Sequence, residues 1–199
     1  MKTIILSIVA LAAMSFKTAD TKNYVFDVNN SSIHWLAKKV GGQHDGNIGL
    51  KSGELTLVGE ELKAARFIVD MNSITVADLT DAGYNAKLVG HLKAEDFFGT
   101  EKNTESIFVL KKASEGAVAK TGTSYNVEGS LTIKGVTNDV TFPVTIVKAG
   151  NMVTAIGKIT IDRTKFGIKY GSKSFFEGIG DKAIDDTFEL EIKLSGKAK

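Results

Sequence analysis

The segment VEGSLTI, residues 127–133, decides the fold class. Its apolar side chains, among them Leu131 and Ile133, alternate with polar ones, so that one face is apolar and the other faces water. A period of two is typical of a β-strand with one buried face. Turn-forming residues follow at 134–139, and a second apolar run begins at residue 140. The two runs therefore predict an antiparallel pair of strands joined by a turn.

The same alternation recurs along the chain from Tyr24 onward, between Gly-rich and Asn-rich turns at Gly41-Gly42 and Ala149-Gly150-Asn151. Short strands at regular intervals, each with one apolar face, predict an all-β fold of the barrel or sandwich type. The single proline, Pro143, lies inside a strand-like run and favours a strand edge or a bulge. Gly129 and Gly157 also lie inside runs, where a glycine permits a bend or leaves internal space.

One stretch has a different period. Residues 78–92 favour a helix, with Thr80 as the N-cap and with Tyr84, Leu88 and Leu92 at four-residue spacing on one face. We place this helix between about the fifth and sixth of eight to ten strands. It is the only helical insert that the pattern predicts.

Composition excludes several classes of function. The chain has 199 residues, a formal charge of +2 and no cysteine. Disulfides, cysteine-bound zinc, thiol catalysis and a cysteine lipid anchor are therefore excluded. Lys and Arg are scattered along the chain, whereas nucleic-acid binding uses a concentrated basic face. We therefore expect no nucleic-acid partner.

The N-terminal residues have the pattern of a secretory signal peptide. Lys2 precedes an apolar run over residues 4–14, and small residues then allow cleavage between residues 12 and 19. The run is shorter than the roughly 20 residues that span a bilayer. We therefore expect a signal peptide at 1–19, a domain at 20–199, no integral membrane span and a periplasmic or secreted location. A buried N-terminal strand or helix is the alternative.

The apolar faces of the alternating strands are expected to line the interior of the barrel. A closed eight-stranded barrel is wide enough to hold one small ligand instead of packing solid. A packed core is the alternative. Because these inward-facing side chains are almost entirely hydrocarbon, a ligand inside would have to be long and apolar. The candidate lining residues are Ile33, Trp35, Ile48, Leu55, Phe67, Val69, Phe108, Val127, Leu131, Phe142, Val144, Ala155, Phe188 and Leu190.

Motifs for catalysis or cofactor binding are absent from the sequence. It contains no Gly-x-Ser-x-Gly elbow, no phosphate-binding Gly-Lys-Ser/Thr loop and no His-Glu-x-x-His pair. His44 and Asp45 are suitable metal ligands, but no further ligand lies at a usable spacing. We therefore expect no enzyme activity, no cofactor and no metal site.

Four residues are candidates for a cavity mouth or a ligand head group. His91 closes the predicted helix, before the turn that contains Phe97 and Phe98. Arg163 follows an apolar strand and could bind a planar anion. The alternatives are a local hydrogen bond at the helix end for His91 and an ion pair with a nearby carboxylate for Arg163.

Several motifs together resemble the YceI-like, polyisoprenoid-binding family. They run in the family's order from about residue 24 to residue 195 and consist of HDGNI (44–48), HLKAEDFF (91–98), VEGSLTIKGVT (127–137), VTFP (140–143) and IDRTKFGI (161–168). The chain departs from the family pattern at residues 103–108, where members often have Tyr-Pro before the strand. That departure concerns the loop near a pocket mouth and not the fold.

The resemblance implies a lipocalin-like, eight-stranded antiparallel barrel with a short helical insert. It implies an exported protein that holds a long polyisoprenoid or quinone-type lipid inside the barrel, as a carrier or sequestering protein. A homodimer is possible. Two other classes stay open: an outer-membrane barrel, which would turn its apolar face outward, and an exported interaction or stress-response module with a packed core and no lipid.

Overall fold

A computed structural model describes residues 19–117 and 119–199. Most of the predicted signal peptide, residues 1–18, lies outside the described residues. The strands are β1 (Thr21–Phe26), β2 (Ser32–Lys39), β3 (Gly42–Val58), β4 (Glu61–Asp70), β5 (Glu105–Glu115), β6 (Thr123–Ile133), β7 (Val136–Ala149), β8 (Met152–Asp162) and β9 (Ile184–Ala198). The helices are the α-helix α1 (Ala82–Lys93) and three short 3-10 turns, Met71–Ser73, Arg163–Phe166 and Gly180–Lys182.

The strands form one closed antiparallel barrel. The barrel closes because β3 pairs with both β2 and β4, and β2 also pairs with β9. β1 pairs with the second half of β3 and the end of β9, whereas β2 pairs with their first halves. β1 and β2 therefore share one position, and the nine strands make the eight-stranded barrel that the sequence predicts.

The β6–β7 hairpin has a shorter turn than predicted. Lys134 and Gly135 both have positive φ, 50° and 73°. Two such residues in succession are typical of the tight type I′ turn that joins twisted strands. Asn138 and Asp139, which we assigned to the turn, lie in β7 opposite Leu131 and Ser130. Turn-forming residue types are tolerated there because cross-strand pairing decides their conformation.

β7 and β8 separate along part of their length. Their ladder runs from Ala149–Met152 to Val144–Gly157 and then ends. Within the described chain, residues 136–143 pair only with β6 and residues 158–162 pair only with β9. Pro143, which has no N–H to donate, adjoins the last pair, so the predicted strand edge is confirmed. We call this separation the β7–β8 gap.

Helix α1 starts later than the sequence predicts. The helix begins at Ala82, and the carboxylate of Asp81 caps it by accepting a hydrogen bond from the Tyr84 N–H at 2.9 Å. Thr80, our predicted N-cap, is therefore wrong by one residue. The preceding residues are kept out of the helix because the Asn85 side chain donates to the carbonyls of Val76 and Leu79.

The position and the buried face of α1 also differ from prediction. The helix connects β4 to β5 and not the fifth strand to the sixth. Leu92 is buried and Leu88 is half-buried, but Tyr84 is 66% exposed. The predicted apolar face is thus correct only in the last two turns of the helix.

The barrel has two different ends. At one end, which we call the turn end, the connections are the turns at residues 59–60 and 150–151 and the connection from β5 to β6. At the other, the α1 end, the long connections 71–104 and 163–183 cross the barrel. One apolar cluster fills the turn end around Tyr24 and Leu57, and a second lies beneath α1 around Phe98 and Phe166.

Candidate functional site

The barrel encloses an apolar cavity of about 180 Å³. It borders residues of both apolar clusters, so it extends from the turn end to the α1 end. Its wall is almost entirely hydrocarbon, and its polar residues are Ser106, Arg163, Asp185 and Thr187. An apolar cavity on the order of 150 Å³ stays dry and takes up apolar molecules. The interior is therefore suited to hydrocarbon and poorly suited to a polar metabolite.

Every predicted lining residue borders this cavity. Period-two alternation points these side chains inward from the eight strands β2 to β9, because successive residues of a strand face opposite sides. Their contact with a ligand stays a prediction. The residues are Ile33, Trp35, Ile48, Leu55, Phe67, Val69, Phe108, Val127, Leu131, Phe142, Val144, Ala155, Phe188 and Leu190.

Several inward-facing apolar side chains are only half-buried. In a solid core they would be covered on all sides, since protein interiors pack at crystal-like density. Their remaining accessible surface faces the cavity, and the interior is therefore hollow along this part of the wall. These residues are Phe67, Val69, Phe108, Leu131, Ile159, Phe188, Leu190 and Ile192.

Two glycines in the strands leave room for phenylalanine rings to lie against the barrel wall. A Cβ on Gly129 would lie 2.4 Å from the Phe108 ring, and a Cβ on Gly53 would lie 2.6 Å from the Phe67 ring. Each ring thus lies against a neighbouring strand that has no side chain at that point. The predicted internal space at Gly129 exists, but a phenylalanine of this chain fills it.

The sequence missed lining residues that follow a β-bulge. Thr56 pairs with Ala64 and Leu57 pairs with Leu62, so Lys63 is an extra residue in β4. Because of this bulge, Leu62 and Ala65 both face the cavity although they are three residues apart. Strict alternation cannot place both inward.

Two further lining residues, Ile74 and Ile184, were also missed. Ile74 belongs to the connection after β4 that the strand pattern does not cover, and Ile184 opens β9 after an irregular loop. The only sequence signal for either is apolar character.

The segment around Ile74 closes one side of the α1 end. Thr75 N–H donates to the Asn47 carbonyl at 2.9 Å, which places this segment against β3. The Trp35 indole N–H donates to the Thr75 carbonyl at 3.0 Å. This bond satisfies the only polar atom of a ring that otherwise borders the cavity.

Phe97 and Phe98 follow α1 and border the same end of the cavity. Their rings lie 5.2 Å apart at 65°, and Phe98 meets Phe188 of β9 at 6.4 Å and 85°. Edge-to-face contacts of this kind are favourable between aromatic rings. Both residues therefore border the α1 end of the cavity, and their role at a mouth or against a ligand head group stays a prediction.

Arg163 is buried at the α1 end of the cavity. Its guanidinium donates to the backbone carbonyls of Asp185, Ile168 and Ile184 at 3.0, 2.9 and 3.1 Å. It also lies 3.8 Å from the Asp186 carboxylate. Of our two interpretations, the ion pair is therefore present, and most of its donors are used within the protein.

Burial and neighbouring charges act in opposite directions on this pair. Burial lowers the pKa of Arg163, while nearby Asp186, Asp162 and Asp185 counteract part of the shift. For Asp186, burial would raise the pKa, but the hydroxyls of Ser172 and Ser174 and the Arg163 charge hold it below its ordinary value. Both groups are charged at neutral pH.

His91 does not border the cavity. Its Nε2 lies 3.3 Å from the Asp96 carboxylate, and its ring packs edge-to-face on Tyr170 at 4.4 Å. The ring also lies 5.7 Å from that of Phe97. His91 therefore links the helix end to the β8–β9 connection, behind the residues that border the cavity, and a head-group role stays a prediction.

The remaining histidines form two separate pairs with carboxylates. His44 Nδ1 lies 2.8 Å from Asp78, and His34 Nε2 lies 3.5 Å from Asp45. In the residues that the structure describes, no three His, Asp or Glu side chains are grouped as a metal site would require. No helix of that same part of the chain is long and apolar enough to cross a membrane.

The barrel wall is polar outside and apolar inside. On its outer face, for example, Lys158 lies 2.8 Å from Glu189, and Lys111 lies 2.5 Å from Asp139. An outer-membrane barrel has the reverse arrangement, with an apolar band facing lipid.

Comparison with known proteins identifies the class. The model of the YceI-like domain matches residues 24–196, and the chain belongs to the YceI-like family. A UPF0312 protein of Staphylococcus aureus strain USA300 is 32% identical over 160 residues, which cover 74% of this chain and 83% of that protein.

Solved structures have the same fold. Burkholderia cenocepacia BcnA superposes with a TM-score of 0.65 at 24% identity, over 85% of this chain and 98% of that one. A polyisoprenoid-binding domain from Saccharophagus degradans, implicated in plant cell wall breakdown, also has a TM-score of 0.65, at 15% identity over 88% and 98% of the chains. A Campylobacter jejuni YceI protein matches at 0.54 with 17% identity, over 100% and 99%.

Proposed function

We propose that this protein binds a long-chain polyisoprenoid or quinone-type lipid in the barrel cavity and acts as an exported carrier or sequestering protein, without catalysis. One observation carries the proposal: inward-facing apolar side chains such as Leu190 and Phe188 keep accessible surface inside a closed barrel. Burying that surface against a lipid would contribute about 25 cal/mol per Å². The apolar wall of the cavity is thus suited to bind hydrocarbon.

Two further facts support the ligand class. The cavity borders both ends of the barrel, which fits a long molecule better than a compact one. The domain from Saccharophagus degradans, described as polyisoprenoid-binding, shares the fold. Export is supported by the signal-peptide pattern of residues 1–19.

The direct experiment extracts the purified protein with organic solvent and identifies the co-purified lipid by mass spectrometry. A titration with prenyl compounds of increasing length then tests the cavity. Each buried methylene contributes roughly 0.8 kcal/mol, so affinity should rise with length and level off when the chain outgrows the barrel. Equal affinity for short and long chains contradicts the proposal.

A matched pair of variants separates a hollow interior from a packed one. Val140 borders the cavity and is half-buried, whereas Ala155 borders it but is buried, with Ile146 and Leu194 as its register partners. Val140→Trp should leave the free energy of unfolding of lipid-free protein nearly unchanged. By displacing about two methylenes, at about 0.8 kcal/mol each, it should lower lipid affinity about tenfold.

Ala155→Trp is the control, because overpacking a filled site costs about 1–3 kcal/mol. Chemical denaturation of delipidated protein measures both variants. If Val140→Trp is destabilised as strongly as Ala155→Trp, the interior is packed there, and the interaction module without lipid becomes the better interpretation.

A further inference from the structure

The exposed aromatic side chains gather at one end of the barrel. Tyr84 lies on α1, and Tyr170, Phe175 and Phe176 lie in the β8–β9 connection; these last three are 45%, 46% and 51% exposed. Within the described residues, none of the other exposed large apolar side chains is aromatic. Exposed apolar residues scattered singly are ordinary, but a group of aromatic ones at one end indicates a contact surface.

Lysines accompany these aromatic residues. Lys169 Nζ lies 4.5 Å from the centre of the Phe175 ring, and Lys87 Nζ lies 5.5 Å from that of Tyr84. Among the described residues, Lys169, Lys173 and Lys87 have no carboxylate within 4.0 Å. Their positive charges are therefore not neutralised by an ion pair, in contrast to several lysines on the barrel wall.

The charge of the connection has the same sign. Residues 163–183 contain five basic side chains and two acidic ones, Glu177 and Asp181. Even without Arg163, whose charge is paired inside the protein, the basic side chains are in excess. The β8–β9 connection thus combines exposed aromatic rings with an excess of basic side chains.

The connection holds these rings in place. The backbone N–H groups of Phe175 and Phe176 donate to the carbonyl of buried Ser172 at 3.2 and 3.0 Å. The Ile184 N–H donates to the Gly171 carbonyl at 2.8 Å, and Ile184 borders the cavity. The segment that carries the exposed rings is therefore hydrogen-bonded to a residue that borders the α1 end of the cavity. The β7–β8 gap lies at the same end of the barrel.

We propose that the α1 end docks on the surface of an anionic lipid bilayer. Phe175, Phe176 and Tyr170 enter the interfacial layer, where aromatic rings are favourable, and Lys169 and Lys173 contact anionic head groups. A bilayer fits better than a protein groove because lysines without an ion pair in the described chain lie directly beside exposed rings, so that both can contact the same anionic interface. This proposal rests on the proposed function, because docking would serve to load a lipid carrier. It adds the surface of the protein through which the lipid would enter.

The test is co-sedimentation of the full chain with vesicles of phosphatidylcholine, with and without phosphatidylglycerol. Sedimentation should require phosphatidylglycerol and should decrease as salt is raised. Lys169→Glu with Lys173→Glu should lower the partition coefficient more than about tenfold, because each lysine near an anionic surface contributes roughly 1 kcal/mol. Phe175→Ser with Phe176→Ser should lower it about as strongly.

Matched controls lie on the barrel wall. Lys112→Glu with Lys193→Glu makes the same charge change at exposed positions, and Val109→Ser with Ile156→Ser removes apolar groups of similar exposure. The docking proposal is overturned if sedimentation does not depend on phosphatidylglycerol. It is also overturned if the barrel-wall variants reduce sedimentation as much as the variants of the β8–β9 connection.

Lipid capture from detergent solution, without vesicles, separates this inference from the proposed function. Wild-type protein that captures lipid but does not sediment with anionic vesicles overturns docking alone. Charge-dependent sedimentation without any lipid capture supports docking and contradicts the carrier.

Discussion

The two ends of this barrel are closed by different kinds of interaction. At the turn end, Tyr24, Leu57 and Val153 are almost completely buried in an apolar cluster. At the α1 end, a second apolar cluster is supplemented by hydrogen bonds to backbone carbonyls: Arg163 donates to three carbonyls, and Trp35 donates to the carbonyl of Thr75. Apolar packing spreads stability over many side chains, whereas a hydrogen-bonded anchor concentrates it in a few. Replacing a single hydrogen-bonding side chain should therefore lower the free energy of unfolding most at the α1 end.

Arg163→Met should give the largest effect on stability. The change leaves three buried carbonyls and Asp186 without their donor, and breaking a buried charged pair costs about 3–5 kcal/mol. Because three buried carbonyls lose their donor in addition to the ion pair, we expect about 4 kcal/mol, measured by urea denaturation. Asp186→Asn is the control and should cost less, since Arg163 keeps its carbonyl acceptors. Equal losses would assign the stability to the ion pair instead of the carbonyls.

The same comparison can be made with two leucines. Leu57 is 2% exposed at the turn end, whereas Leu131 is half-buried and borders the cavity. Leu57→Ala should cost about 3 kcal/mol, because it removes packed atoms and leaves a new cavity. Leu131→Ala should cost about 1 kcal/mol, since part of that side chain already faces empty space. Equal costs in lipid-free protein would mean that the interior is packed at both places.

The smallest effect concerns acid pH. The pKa of Asp186 is held below its ordinary value in the folded protein, so its stabilising contribution is complete above the unfolded pKa of about 3.9 and is lost as pH falls below that value. The stability difference between wild type and Asp186→Asn should therefore shrink between neutral pH and about pH 3. The expected change is below about 1 kcal/mol, because the carboxylate is partly exposed. A difference that grows in acid would reverse the sign of the pKa shift.

The strand pattern predicted most of the cavity wall correctly. Val127, Leu131 and Phe142 were assigned inward from alternation alone, and the structure places each beside the cavity. Alternation is reliable because side-chain direction in a strand is fixed by the local backbone. It failed at Lys63, where a bulge adds one residue and shifts the phase of β4. Bulges follow from pairing with a neighbouring strand, which a single segment does not encode.

The polar features of the site were less predictable. Arg163 was identified as a candidate, but its acceptors, Ile168, Ile184 and Asp185, are fixed by the way the β8–β9 connection folds back on itself. His91, a candidate for the mouth or a head group, packs on Tyr170, and that contact joins two segments that are distant in sequence.

By itself, the sequence determined the eight-stranded fold, its apolar interior and the family, because periodicity and motif order are properties of the chain. Only the tertiary structure decided that the interior is hollow, that β7 and β8 separate, and that the exposed aromatic residues share one end. These features depend on which distant segments meet, and closing the barrel brings together residues that no local pattern relates.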